Sequence, residues 1–251
     1  MPLPTSRRLL AVVGAIAVAT PFAAAIQPHA RGPVDAAPEA SSQAPAQSEN
    51  LANAIIAARR KNAALLQTYN WNCRTEILMN GKMEDLRIDL VSVAPDGQLV
   101  RTLLNDQPGQ LPGGFLRKAI AQGQQQQAEK AAQGIGALLD QYTLPSAGKM
   151  ISFIVQAQVQ PITSPTGTSM LQVTGTGVVV PGDSVTLVFD GTSLQPSSFQ
   201  ISTTFNGDPM TATGNFDTMT TGLNRLQYAS VQVPAKQLSV LVHNYDYVLK
   251  N

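Results

Sequence analysis

The sequence predicts an α+β fold: one large antiparallel sheet, wet on one face and covered on the other, with two helices available to cover it. Three observations carry this prediction. Strand-period alternation recurs from Trp71 to the C-terminus, turn dipeptides separate the alternating runs, and only two stretches have helical periodicity or composition.

The 251-residue chain opens with Arg7-Arg8, an apolar run from Leu9 to Phe22 and the small residues Ala23-Ala24-Ala25. These are the three parts of a secretory signal peptide, and they predict export with cleavage after Ala25. A membrane anchor is the other reading. Gly14, Thr20 and Pro21 interrupt the run, which falls short of the ~20 apolar residues a spanning helix needs. Ser6-Arg7-Arg8-Leu9-Leu10 also resembles a twin-arginine export signal, without its usual aromatic residue. No later segment is long and apolar enough to cross a bilayer, so the expected location is periplasmic or secreted. Residues 26–48 are rich in Ala, Pro, Ser and Gln with no apolar periodicity, the composition of a disordered linker. A single α+β domain is expected over residues 49–251.

From Asn50 the pattern changes. Leu51, Ala54, Ile55, Ala58, Asn62, Leu65, Leu66 and Tyr69 recur at helical spacing, with Ser48 or Asn50 as cap and Arg59, Arg60, Lys61 and Gln67 on the solvated side. At Trp71 the period becomes two: Trp71, Cys73, Thr75, Ile77 and Met79 face one way. Asn80-Gly81 is a type I′ hairpin signal, because both central residues need positive φ. Leu86, Ile88 and Leu90 then alternate with Arg87 and Asp89, and Pro95-Asp96-Gly97 turns into a third strand over Gln98 to Leu104. After a Pro/Gly loop from Asn105 to Gly114, Phe115 to Tyr142 has helix-forming composition, weakened by Gly123, Gly134 and Gly136 and ended by Pro145. Met150 to Val159 fits either a short helix or a strand. Strands follow at Met170–Thr174, Ser184–Asp190, Ser198–Phe205, Met210–Asp217, Leu226–Val233 and Gln237–Leu249. Val185, Leu187 and Phe189 share one face, as do Phe199, Ile201 and Phe205.

Composition removes several functions. Of 17 basic residues, Arg7 and Arg8 leave with the leader, so 15 remain against 16 acidic ones and the mature charge is near −1. There is no basic stripe for nucleic acid and no polybasic cluster for an anionic membrane. Cys73 is the single cysteine, so no internal disulfide forms, and it reads as a small buried hydrophobe. The two histidines, His29 and His243, lie in the linker and on a late strand, where neither serves an obvious nucleophile. No metal-ligand spacing and no cofactor motif occurs. Asp183, Asp190, Asp208 and Asp217 sit at strand ends, where turn chemistry accounts for them; a carboxylate pair across strands is invisible to sequence.

The amphipathic helix, Tyr69-Asn-Trp71 leading into a strand, the Asn80-Gly81 hairpin and the late unit Gly182-Asp-Ser-Val-Thr-Leu-Val-Phe-Asp190-Gly191 together resemble the lipoprotein-localisation factor (LolA/LolB-like) family of periplasmic carriers. The chain is also similar to exported bacterial proteins with a Tyr-x-Trp start and a closing segment like Asn244-Tyr-Asp-Tyr247 here. The carrier resemblance implies a strongly curved sheet, a half-open barrel whose concave apolar face is lidded by the helices and receives acyl chains. On that reading the ligand-facing residues are Trp71, Ile77, Met79, Leu86, Ile88, Leu187, Phe189, Phe199 and Ile201. Tyr69 and Trp71 equally fit a seam filled between the first helix and the sheet. Three functions follow: a non-enzymatic carrier for a lipid or lipoprotein acyl group, an envelope scaffold whose sheet or Gln-rich helix binds a protein partner, and a hydrolase built on a carboxylate pair.

Overall fold

The computed structural model describes residues 43–108, 115–143 and 147–250. The signal peptide and residues 26–42 of the expected linker lie outside the described residues, as does Pro145.

The first helix, α1 (Gln43–Leu66), begins inside the segment read as linker, seven residues before Asn50, so Ser48 and Asn50 lie within it and neither caps its start. Ala and Gln are good helix formers, and Pro45 falls in the first turn, where a missing N–H costs nothing. Next come β1 (Tyr69–Met79), β2 (Lys82–Val93) and β3 (Leu99–Pro108), the last running four residues beyond its expected end. Two helices follow, α2 (Phe115–Thr143) and α3 (Ala147–Gln156), then β4 (Gln158–Thr163) and β5 (Ser169–Thr176). The chain closes with β6 (Ser184–Asp190), β7 (Pro196–Phe205), β8 (Asp208–Thr218), β9 (Asn224–Val233), a 3-10 turn and β10 (Leu238–Leu249). The ambiguous stretch is both things: helix to Gln156, where Met150 and Ile154 bury at i, i+4, and strand from Gln158.

All ten strands form one curved, unclosed antiparallel sheet in the order β3-β2-β1-β10-β9-β8-β7-β6-β5-β4. The α+β class therefore holds, with three helices in place of two. Two tight turns carry the conformations their residues predict: Asn80 and Gly81 at φ 52° and 71°, Asn206 and Gly207 at 54° and 86°. The inner face is continuous across the registers Trp71↔Val91, Ile77↔Val240, Val240↔Val231, Val231↔Ala212, Ala212↔Ile201, Ile201↔Val185 and Leu187↔Val173.

The helices bury that face in two separate packings. From α2, Ala128, Ala132, Ile135 and Leu139 recur at helical spacing and join Trp71, Val91, Ile201, Met210, Val231 and Val240 in the larger core. In the smaller one, Ala52, Ile55 and Ile56 of α1 and Met150 and Ile154 of α3 pack on Val173 and Phe189. Asn62, which the helical spacing places on the apolar stripe of α1, is a buried polar pin. Its Nδ2 donates to the Asn224 carbonyl (2.7 Å) and its Oδ1 accepts from the Asn224 N–H (2.8 Å), satisfying both ends and fastening α1 to β9. The basic triplet is not uniformly solvated either: Arg60 and Lys61 are exposed, whereas Arg59 is half-buried. Among the described residues no helix is long and apolar enough to cross a membrane.

Candidate functional site

Phe153 and Leu187 touch both cores, and the space between the cores beside them is not filled. A cavity of about 810 Å³ lies there, between the end of α2, one side of α3 and the inner face of β5 and β6. Val185 and Leu187 form its floor, Met150 and Phe153 one wall, and Val178 and Val179 of the β5–β6 turn the other. Gln141, Lys149, Ser152 and Gln156 line it as well. The Phe153 ring lies against β5 because residue 175 is glycine; a Cβ there would sit 2.4 Å from the ring.

The rim is held by one carboxylate. Asp183, 1% exposed, accepts from the backbone N–H groups of Val178 (2.7 Å), Val179 (2.8 Å) and Val180 (2.8 Å), curling the turn around itself. The Tyr142 hydroxyl, at the end of α2, donates to Asp183 Oδ2 (2.7 Å) and lies 2.9 Å from Thr203 Oγ1 on β7. Burial pushes the Asp183 carboxyl up, but the Val180 N–H, the Tyr142 hydroxyl and the Val179 and Val178 N–H groups together outweigh it and hold the group below its ordinary range. Burial pushes the Tyr142 hydroxyl up to about 12. The turn, the helix end and the sheet are thus joined at the cavity mouth by groups that keep their charge states across neutral pH.

Of the nine residues expected to face a ligand, only Leu187 lines this cavity. Trp71, Ile77, Phe199 and Ile201 are buried in the larger core, with Met79 partly buried beside them, and Phe189 is buried in the smaller one. Leu86 and Ile88 are on the wrong face for the expected role: Leu86 pairs with Glu76 and Ile88 with Arg74, opposite in phase to Trp71 and Ile77. The inner face of β2 carries Asp85, Arg87, Asp89 and Val91 instead. Trp71 makes its ring and indole contacts with β10 rather than with the first helix. Its ring stacks on Tyr247 at 5.3 Å and 6°, and its Nε1–H donates to Asn244 Oδ1 (3.2 Å), so the Tyr-x-Trp start and the Asn-x-x-Tyr close meet in one buried contact. Met150, Phe153, Val178 and Val179 were not singled out by sequence. Nothing in their spacing distinguishes cavity wall from core.

The acidic strand-end residues are occupied. Asp190 accepts from the N–H groups of Thr192 and Ser193 in its own turn, Asp208 pairs with Lys236, and Asp217 pairs with Arg225 at 3.2 Å. Cys73 is fully buried and His243 is exposed, stacked on Tyr245. Among the described residues no group of three metal-ligating side chains could hold an ion.

A second polar region lies under α2 at the β2–β3 end. Burial, then the carboxylates of Asp106 and Glu129, push Asp85 up to about 6, opposed by the Leu86 N–H and by Arg87. Burial and Asp106 raise Glu129 likewise. The folded state therefore holds the Asp85 proton more tightly than the unfolded chain, whose value is 3.8. That contribution to stability is complete below about pH 4 and lost as pH rises through about 6. The Asp85→Asn variant should accordingly be more stable than the parent at pH 7.5 and lose that advantage by pH 4. Urea midpoints of both proteins over this range test it, and a difference independent of pH would count against it.

No protein-family model matches the chain, and a comparison with curated proteins finds no relative. Among solved structures it is similar to a DUF1329 family protein from Desulfovibrio piger (8% identity over 82% of this chain and 92% of that one, TM-score 0.43). It is also similar to a LolA superfamily protein from Nitrosomonas europaea (14%, 80% and 94%, TM-score 0.32). A third is a putative outer membrane lipoprotein-sorting protein domain from Vibrio parahaemolyticus (9%, 80% and 94%, TM-score 0.33). These are likenesses of fold alone.

Proposed function

We propose that this protein is a non-enzymatic carrier that holds an apolar, acyl-type ligand in the cavity between α3 and strands β5 and β6, and that it works outside the cytoplasm. The cavity carries the reading. At about 810 Å³ it falls within the ~300–1,000 Å³ of small-ligand sites. Met150, Phe153, Val185 and Leu187 give it an apolar surface for an acyl chain, and Gln141, Lys149, Ser152 and Gln156 give it polar groups for the chain's polar end. The leader composition supports the location.

Titration of the delipidated chain with an anthroyloxy-labelled fatty acid should give saturable binding. Leu187→Trp, which fills the floor, should weaken it about tenfold or more while the thermal midpoint moves by only a few degrees, since Leu187 is only partly buried. In hydrogen exchange, amides of α2, with glycines at 123, 134 and 136, should exchange faster than those of β6 and β7 and slow when the fatty acid is bound. Binding that does not saturate, or an L187W protein that binds like the parent, would sink the carrier reading.

A further inference from the structure

On the other side of α1 a second, independent site is built around arginine. Arg59 lines a narrow pocket with Asn62, and across it lie Arg225, Phe216 and Tyr247. Among the described residues no carboxylate or other hydrogen-bond partner meets the Arg59 guanidinium. Burial alone pushes it down to about 10, which still leaves it charged at neutral pH. Arg225 is engaged only in part: one nitrogen meets Asp217 at 3.2 Å, the guanidinium carbon lies 4.8 Å from the Tyr247 ring centroid, and the buried Nε has no partner. Two guanidiniums thus share one pocket with a single carboxylate, leaving positive charge and an N–H group uncompensated. A buried donor or charge left this way is costly unless something occupies it.

The pocket's free volume is about 20 Å³, room for about one water-sized group. Gln195, Pro196, Phe216 and Asn224 line both this pocket and an adjoining groove of about 770 Å³. Leu65, Met170 and Phe216 line that groove together with Lys61 and several hydroxyl-bearing residues, and the one acid there, Asp190, is taken up by its own turn.

From this arrangement we infer that the Arg59–Arg225 pocket binds one oxygen of an oxyanion, a phosphate or a carboxylate, whose remainder lies in the adjoining groove. Guanidiniums suit such oxygens because they donate several fixed N–H groups. The occupant differs from that of the cavity under α3, and neither site depends on the other.

The chain carries its own reporter. Trp71, the only tryptophan, stacks on the Tyr247 ring that also meets Arg225. The purified chain, titrated with inorganic phosphate and separately with acetate at constant ionic strength, should show a saturable change in Trp71 fluorescence and a rise in thermal midpoint. Arg59→Gln should weaken that response about tenfold or more. It should also melt no lower than the parent without anion, since it removes an unpaired cation. Arg59→Lys, keeping charge but losing the fork, should fall between. A response to phosphate alone assigns a phosphate ligand, and one to acetate alone a carboxylate. A non-saturating response to both, or equal affinity in the parent and R59Q, overturns the site; fatty-acid binding would be untouched by either result.

Discussion

Replacing Asp89 with Asn is expected to cost about 3–5 kcal/mol of folding stability, the loss seen when one partner of a buried ion pair is removed. Asp89 is 1% exposed on the inner face of β2. Arg87 Nε donates to both its oxygens at 2.8 Å, and Arg101 Nη1 reaches Oδ2 at 3.4 Å from β3. Asparagine keeps the shape but leaves two guanidiniums facing each other out of water, where Arg101 already has an unpartnered Nε. Replacing all three residues with apolar ones of similar size should restore most of the loss, because desolvation of all three charges then disappears. Urea denaturation tests both variants. An Asp89→Asn midpoint within error of the parent would mean that solvent reaches the cluster.

The second large effect concerns Trp71. Truncation to alanine should cost about 3–5 kcal/mol, since it empties a fully buried site in the larger core. In a domain of this size that lowers the thermal midpoint on the order of 10 °C. Trp71→Phe separates the causes: it keeps ring contact with Tyr247 but leaves Asn244 Oδ1 without its donor, so the cost should be about 1–3 kcal/mol. If the two variants lost equal stability, the hydrogen bond rather than ring packing would dominate.

The phase of β1, the tight turns and most strand bounds were legible in sequence, because each rests on local chemistry: alternation, and residues that accept positive φ. The face of β2 was not. A two-residue hairpin at Asn80-Gly81 without irregularity would set Ile77 opposite Glu84 and bring Leu86 and Ile88 to the inner face. The register instead slips between Ile77 and Leu78, so that Ile77 meets Asp85 and every later residue of β2 changes sides. Leu86, Ile88 and Leu90 then lie on the other face, and the buried Asp85 and Asp89 join Val91 and Val93 on the inner one. Sequence placed a ligand space between sheet and helices but missed where it lies, for another reason: it is the space left where α2 and α3 pack on different parts of the sheet. Arg59 was hidden by its neighbours, since a basic triplet on a helix is usually solvated throughout.

The strand order also has a consequence in time. β1 and β10, the first and last strands, lie side by side inside the sheet, third and fourth in its order, and Tyr69 is paired with Leu249. During synthesis or export the three early strands emerge with no neighbour for β1's open side, and that side must wait until almost the whole chain has appeared. The seam that joins the two parts therefore forms last and spans the greatest sequence separation in the sheet, which makes folding slow and leaves β1 vulnerable to wrong partners meanwhile. Loss of the final dozen residues would leave a three-stranded and a six-stranded piece with nothing between them.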